Sequence, residues 1–165
     1  MRVKPENWLE NGLVKNHQPR PPILKGDTLY DIGAGIRPLR WGFDIHVCVE
    51  PCEQYYGKLV EAGFDAIQDT AHGFLLKCPS VDVIAMMDVI EHMEKDVALE
   101  CLRLAKLAAK QVVIYTPLGF MEQTDDGWGL GEDEWQTHRS GWRPEEFPDW
   151  ITWRHARGFV AVFTK

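Results

Sequence analysis

Hydrophobic and polar positions divide the chain into short apolar runs, most of which end at an acid or a glycine. Thr28–Ile32, His46–Val49 and Phe64–Gln68 have strand length. Val81–Met87 is continuously apolar after Asp82, the mark of a central parallel strand buried on both faces. Val112–Tyr115 is a fifth run, stopped by Thr116-Pro117. Between these runs the period lengthens. Cys52–Ala62 predicts a helix with Tyr56, Leu59 and Val60 on one side and Gly63 at the C′ position. Lys95–Ala109 predicts the longest helix, because Val97, Cys101, Leu104 and Ala108 recur at helical spacing. Asp96 in its first turn and Lys106 and Lys110 at its end suit the helix dipole. Ile151–Arg154 and Phe159–Phe163 predict an antiparallel hairpin around His155–Gly158. Strand and helix alternation closed by a hairpin predicts an α/β fold whose sheet is mostly parallel.

The pattern is interrupted in three places. Residues 1–27 are polar, and Pro19, Pro21 and Pro22 stop a short amphipathic helix expected around Glu6–Leu13. This stretch reads as an arm leading into a single domain that spans 1–165. Only fifteen positions separate Gly35 from Glu50, and they include Pro38, Trp41, Gly42 and Phe43. A crossover between parallel strands takes about a dozen residues or more. The first helix is therefore expected to be a single turn or missing. Residues 118–141 lack periodic apolar positions and carry Glu122, Asp125, Asp126, Glu132, Asp133 and Glu134. A connection of that length is usually functional or disordered. Five of the seven tryptophans lie in or after it, which argues against plain disorder. Glu145–Trp150 predicts a helical turn.

Composition changes this picture little. A chain of 165 residues can bury a substantial core. A formal net charge of -7 without a lysine–arginine cluster speaks against an extensive nucleic-acid surface. No apolar run approaches the roughly 20 residues of a membrane span, and the first residues lack a leader's apolar core, so a cytoplasmic location is expected. Cys48, Cys52, Cys78 and Cys101 lack paired metal-knuckle spacing and read as free thiols. His46, Cys48 and Cys52 are a weaker ligand set, and no metal is expected.

Candidate chemistry concentrates at two strand ends. Asp31, Gly33 and Gly35 follow the first run, and Glu50-Pro51 ends the second. In an open α/β sheet these carboxyl ends are where ligands bind. Glycines at 33 and 35 can take φ > 0 and let a ligand approach the backbone. Glu50 can accept from both hydroxyls of a ribose, which together predicts an adenosine-binding corner. The dinucleotide fingerprint wants a third glycine where Pro38 stands, which disfavours a nicotinamide-dependent oxidoreductase. Plainer readings stand beside these: Glu50 as a solvated strand end, Asp69 as a turn residue, Asp88 as a turn cap.

With Asp31–Gly35, Glu50, Asp69-Thr70-Ala71 and the Asp82–His92 segment ending in Asp88-Val89-Ile90-Glu91-His92, the chain resembles the class I S-adenosylmethionine-dependent methyltransferases. The resemblance covers about Thr28 to Leu118, and the remainder follows it only loosely. It implies a Rossmann-like sheet and methyl transfer from S-adenosyl-L-methionine to an unidentified, small-molecule acceptor. It further implies that Gly33–Gly35 pack against the methionyl part, with Asp31 near its ammonium directly or through water. Glu50 and Pro51 then lie at the ribose, Asp69 and Thr70 at the adenine edge, and Asp88 on the pocket floor. A general base is needed only if the acceptor loses a proton, and His92 and His138 are the candidates. A non-catalytic adenosylmethionine-binding module is the alternative. The late tryptophans suit an acceptor wall, a homodimer interface or a core patch.

Overall fold

A computed structural model describes residues 23–155 and 157–165, so the helix expected around Glu6–Leu13 lies outside the described residues. The strands are β1 (Thr28–Ile32), β2 (Ile45–Val49), β3 (Asp65–Ile67), β4 (Val81–Met87), β5 (Ala109–Pro117), β6 (Ile151–His155) and β7 (Gly158–Thr164). The helices are α1 (Glu53–Glu61), α2 (Ala71–Leu75), α3 (Lys95–Ala108) and α4 (Asp133–Gln136). Single 3₁₀ turns lie at Ile90–His92 and Pro144–Glu146. The strands form one seven-stranded sheet in the order β3-β2-β1-β4-β5-β7-β6. The pairs from β3 through β5 are parallel, whereas β7 runs antiparallel to both β5 and β6. The order reverses between β1 and β4, so the tips of β1, β2 and β4 open onto a common crevice.

Alternation along the central strands sends side chains into two cores. Ile84, Met86, Val112, Ile114, Phe159 and Ala161 join the core beneath α2 and α3. Val83, Ala85, Val113, Val160 and Val162 join the core on the other face. That second core is completed by Leu24, Trp41 and Phe43, all buried. No helix forms between β1 and β2, as the short connection leads one to expect. Two aromatic rings cover the sheet there instead.

Some helix faces differ from the expected ones. Helix α1 buries Tyr55 and Leu59 and leaves Val60 exposed. Cys52, its buried N-cap, donates its N–H to Glu50, and that anchor turns the 55/59 stripe inward. Helix α3 buries Ala98, Cys101, Leu102 and Ala105, while Val97 is exposed. Three of those four are small residues, which let the helix approach its neighbours closely. Helix α2 was not expected. Five residues are too few for a period to register, but Thr70 caps it by accepting from Gly73 N–H at 3.0 Å. Strand β5 outruns the predicted Val112–Tyr115 because both neighbours pair with it along its length.

The late tryptophans serve mainly the core. Trp142 is buried beside Phe147, and Lys95 Nζ lies 3.8 Å from the Trp142 ring centroid. Lys95 also donates to the Gly141 carbonyl at 2.6 Å and pairs with Glu146 at 2.6 Å, fastening the tail to α3. Trp150 and Trp153 are partly buried against the two cores. Trp128 and Trp135 remain exposed. All four cysteines are unpaired, and among the described residues no helix is long and apolar enough to cross a membrane.

One polar latch closes the amino end of the sheet. Asp82 accepts from Asp27 N–H at 2.8 Å, Thr28 N–H at 3.1 Å and Thr28 Oγ1 at 3.0 Å, and pairs with Lys110 at 2.7 Å. Lys110 and these donors hold its carboxyl well below the usual carboxylate range. Its contribution is complete above about pH 4, the unfolded-chain value, and is lost as pH falls further. Asp82→Ala is expected to lower unfolding free energy by about 2 kcal/mol at neutral pH. The difference from wild type should shrink in acid, as urea titrations at two pH values would measure. An equal difference at both pH values would contradict the latch.

Candidate functional site

The site is built where β1, β2 and β4 end. Gly33 N–H donates to the Val49 carbonyl at 2.7 Å, which binds the turn after β1 to the tip of β2. Gly33 and Gly35 have φ of 68° and 62°, the left-handed region that favours glycine. A Cβ at Gly33 would lie 2.6 Å from Val89 Cγ2, so this glycine is also needed for packing. Glu50 is 4% exposed, and its carboxylate bridges two segments. Its Oε2 accepts from Gly35 N–H at 2.9 Å and its Oε1 from Cys52 N–H at 3.0 Å. Burial raises its pKa, while these two backbone donors pull it down.

A cavity of about 270 Å³ lies beside this corner. Gly33, Gly35, Glu50, Pro51, Thr70 and Asp88 are on its wall, as is His92. Asp31, Asp69 and His138 are not. Asp31 is buried with its Oδ2 3.2 Å from His46 Nε2, on the sheet face it shares with Cys48, its register partner. Burial pushes the Cys48 thiol up, so it stays protonated. Asp69 pairs with Lys77 at 2.7 Å and accepts from Thr70 N–H at 2.8 Å.

The segment after β4 carries the site's strongest electrostatics. Asp88 has φ 55°, an unusual value for a residue with a side chain, and its N–H donates to the Tyr115 carbonyl at 2.9 Å. Desolvation raises its carboxyl to about 6, although a hydrogen bond with Glu91 lowers it in part. Glu91 is 1% exposed and accepts from Thr116 Oγ1 at 2.9 Å. Burial, then the neighbouring Asp88 charge, drives the Glu91 pKa well above its ordinary value. His92 is pushed down to about 4 by burial and by nearby His138. The His92 and His138 rings meet edge to face at 4.8 Å.

The 118–141 loop folds back over this corner. Arg139 and Ser140 N–H groups donate to the Glu91 carbonyl at 2.7 and 3.1 Å, and Ser140 Oγ donates to the Ile90 carbonyl at 3.0 Å. Glu134, Trp135, Gln136 and Arg139 thereby join the cavity wall. Trp135 is among the late tryptophans that suit an acceptor wall and Glu134 belongs to the acidic run, whereas sequence patterns did not single out Gln136 or Arg139, since long-range docking has no period. Asp126, one of the six acids of this loop, is 8% exposed. Its carboxylate accepts from the N–H groups of Trp128, Leu130 and Glu132 at 2.8, 2.9 and 3.2 Å. These bonds hold the Trp128 ring near Gly35, with Arg37 5.4 Å from its centroid. In Asp126→Ala, amide exchange at 128, 130 and 132 should accelerate roughly tenfold or more, the scale of losing one net hydrogen bond. Amides in β4 should be unaffected. Unchanged protection at the three loop amides would remove Asp126 from that role.

No family model and no curated protein matches the sequence. Solved structures do match. A SAM-dependent methyltransferase from Archaeoglobus fulgidus superimposes with a TM-score of 0.66 at 15% identity, covering 87% of this chain and 89% of that one. The N-terminal domain of EvdMO1, solved in the presence of SAH and D-fucose, gives a TM-score of 0.62 at 11% identity over 83% of this chain and 75% of that one. Magnesium protoporphyrin IX methyltransferase from Synechocystis PCC 6803 with bound SAH gives 0.61 at 12% identity over 85% and 74%. By its strand order, its antiparallel β7 and these neighbours, the chain has the class I methyltransferase fold.

Proposed function

We propose that the protein transfers a methyl group from S-adenosylmethionine to a small acceptor that enters beneath the 118–141 loop. The observation that carries this reading is the Glu50 carboxylate. Each of its oxygens spends one lone pair on a backbone N–H, from Gly35 and from Cys52. A carboxylate oxygen has two acceptor sites, so each keeps one for a ribose hydroxyl. The two backbone bonds aim the group before any ligand arrives, which lowers the ordering cost of binding. Gly33 and Gly35 offer bare backbone to the methionyl part, and Thr70 and Ala71 line the cavity where an adenine would lie. Asp88 is a carboxyl on the cavity wall just after β4, and its charge suits the cationic donor.

The sulfonium is an activated donor, so the protein's task is chiefly to hold the acceptor in line with the methyl group. His92 is the one of the two candidate histidines that lies on the cavity wall, and burial keeps it neutral at pH 7. His138 donates its Nδ1–H to the Met121 carbonyl at 2.6 Å, and its ring meets that of His92 edge to face. Calorimetry should detect S-adenosylmethionine and S-adenosylhomocysteine and no NADH. Release of S-adenosylhomocysteine over an acceptor panel should then follow. Binding with no turnover across the panel would favour a non-catalytic adenosylmethionine-binding module, and absent binding would refute both. Glu50→Ala is expected to weaken S-adenosylhomocysteine by about 1–3 kcal/mol, the range for charge-assisted hydrogen bonds. Unchanged affinity in a variant with native circular dichroism would remove Glu50 from the site.

A further inference from the structure

The turn after β4 and the loop that docks on it bring three ligand-type side chains together. Glu91, His92 and His138 each offer one ligand atom, and these atoms lie within 4.8 Å of one another. Their remaining atoms are already engaged. His138 Nδ1 is 2.6 Å from the Met121 carbonyl, and His92 Nδ1 is 3.4 Å from the Thr137 carbonyl. A carbonyl can only accept, so both Nδ1 atoms carry a proton, which leaves Nε2 as the ligand atom of each ring. Glu91 Oε2 is satisfied by Thr116 Oγ1, but Oε1 is buried with no hydrogen-bond partner. Arg139 supplies no donor to that oxygen, since its Nη1 is directed at the His92, Glu134 and Thr137 carbonyls.

Three ligand-type atoms thus converge beside a buried carboxyl oxygen that has no hydrogen-bond partner. Left so, such an oxygen carries a desolvation cost that a hydrogen-bonded one does not. We propose that Glu91, His92 and His138 form a binding site for a divalent first-row transition cation. Two imidazoles and one carboxylate suit Mn²⁺, Fe²⁺, Co²⁺ or Zn²⁺ better than Mg²⁺ or Ca²⁺, which prefer all-oxygen shells. The Nδ1–H to carbonyl contacts are the outer bonds that orient ligating histidines. Three protein ligands leave coordination positions for water or an oxygen-bearing molecule, and His92 is on the cavity wall. A second cluster, Asp31, His46 and Cys48, meets the same distance criterion. There the carboxylate and the imidazole already face each other at 3.2 Å, and no buried polar side-chain atom of the three is left without a hydrogen-bond partner.

The test uses the full chain, stripped with a chelator and without any adenosyl compound, so its failure would leave the methyl-transfer reading intact. Titration with Co²⁺ should give one bound ion per chain, a visible absorption band from nitrogen coordination, and a raised melting temperature. Mg²⁺ should bind at least tenfold more weakly. Glu91→Gln and His138→Ala should each weaken Co²⁺ at least tenfold. If either variant fails to fold, Mn²⁺ added to the wild-type chain should broaden the ring proton resonances of His92 and His138 before those of His46. Absence of stoichiometric Co²⁺ binding, Mg²⁺ binding as tightly as Co²⁺, or broadening centred on His46 would each overturn the proposal.

Discussion

The Glu50 carboxylate is the tie on which the candidate site depends. It joins the turn after β1, through Gly35 N–H, to the entrance of α1, through Cys52 N–H. Without it, the turn after β1 would be tied to β2 only by its backbone bonds to the Val49 carbonyl, and the buried N–H of Cys52 would lose its acceptor. Two backbone dipoles offset part of the desolvation that burial imposes on the carboxylate. It also fixes the rotation of α1, since the residue that donates to Glu50 is the helix N-cap.

The rest of the molecule compensates for what a short chain omits. No helix covers the sheet between β1 and β2, and Trp41, Phe43 and Leu24 supply the missing apolar surface. On the opposite side the tail does similar work, with Trp142, Phe147 and Phe159 packed beneath α3. The long loop between β5 and the 3₁₀ turn is anchored at both ends, by the Gly119 N–H bond to the Trp142 carbonyl and by the bonds to the Glu91 carbonyl. Its ordered middle then depends on Asp126. From this segment Glu134, Trp135, Gln136 and Arg139 reach the cavity wall.

The legible parts of the sequence were those governed by local rules. Val81–Met87 emerges with the predicted boundaries, because a strand with five of its seven residues buried between two parallel neighbours leaves little room for polar substitution. Gly33, Gly35 and Glu50 are brought together, since their spacing follows from strand order alone. The helix faces were displaced by about one residue, because a 3.6-residue period fixes that a stripe exists but the packing partner selects which stripe is buried. Helix α2 was too short to register at all. Asp126, Glu91 and Arg139 were hidden for a different reason: their roles arise from contacts between segments far apart in sequence. Asp88-Val89-Ile90-Glu91-His92 stood out as a string, yet nothing in the string distinguishes the buried Glu91 from the cavity-facing Asp88.

The most direct test is a crystal structure of the protein grown with S-adenosylhomocysteine. Density for the nucleoside is expected between Gly35 and Thr70, with both ribose hydroxyls on Glu50 and the sulfur directed toward the His92 side of the cavity. A ligand seated elsewhere, or a Glu50 carboxylate turned from the ribose in a filled site, would contradict the reading.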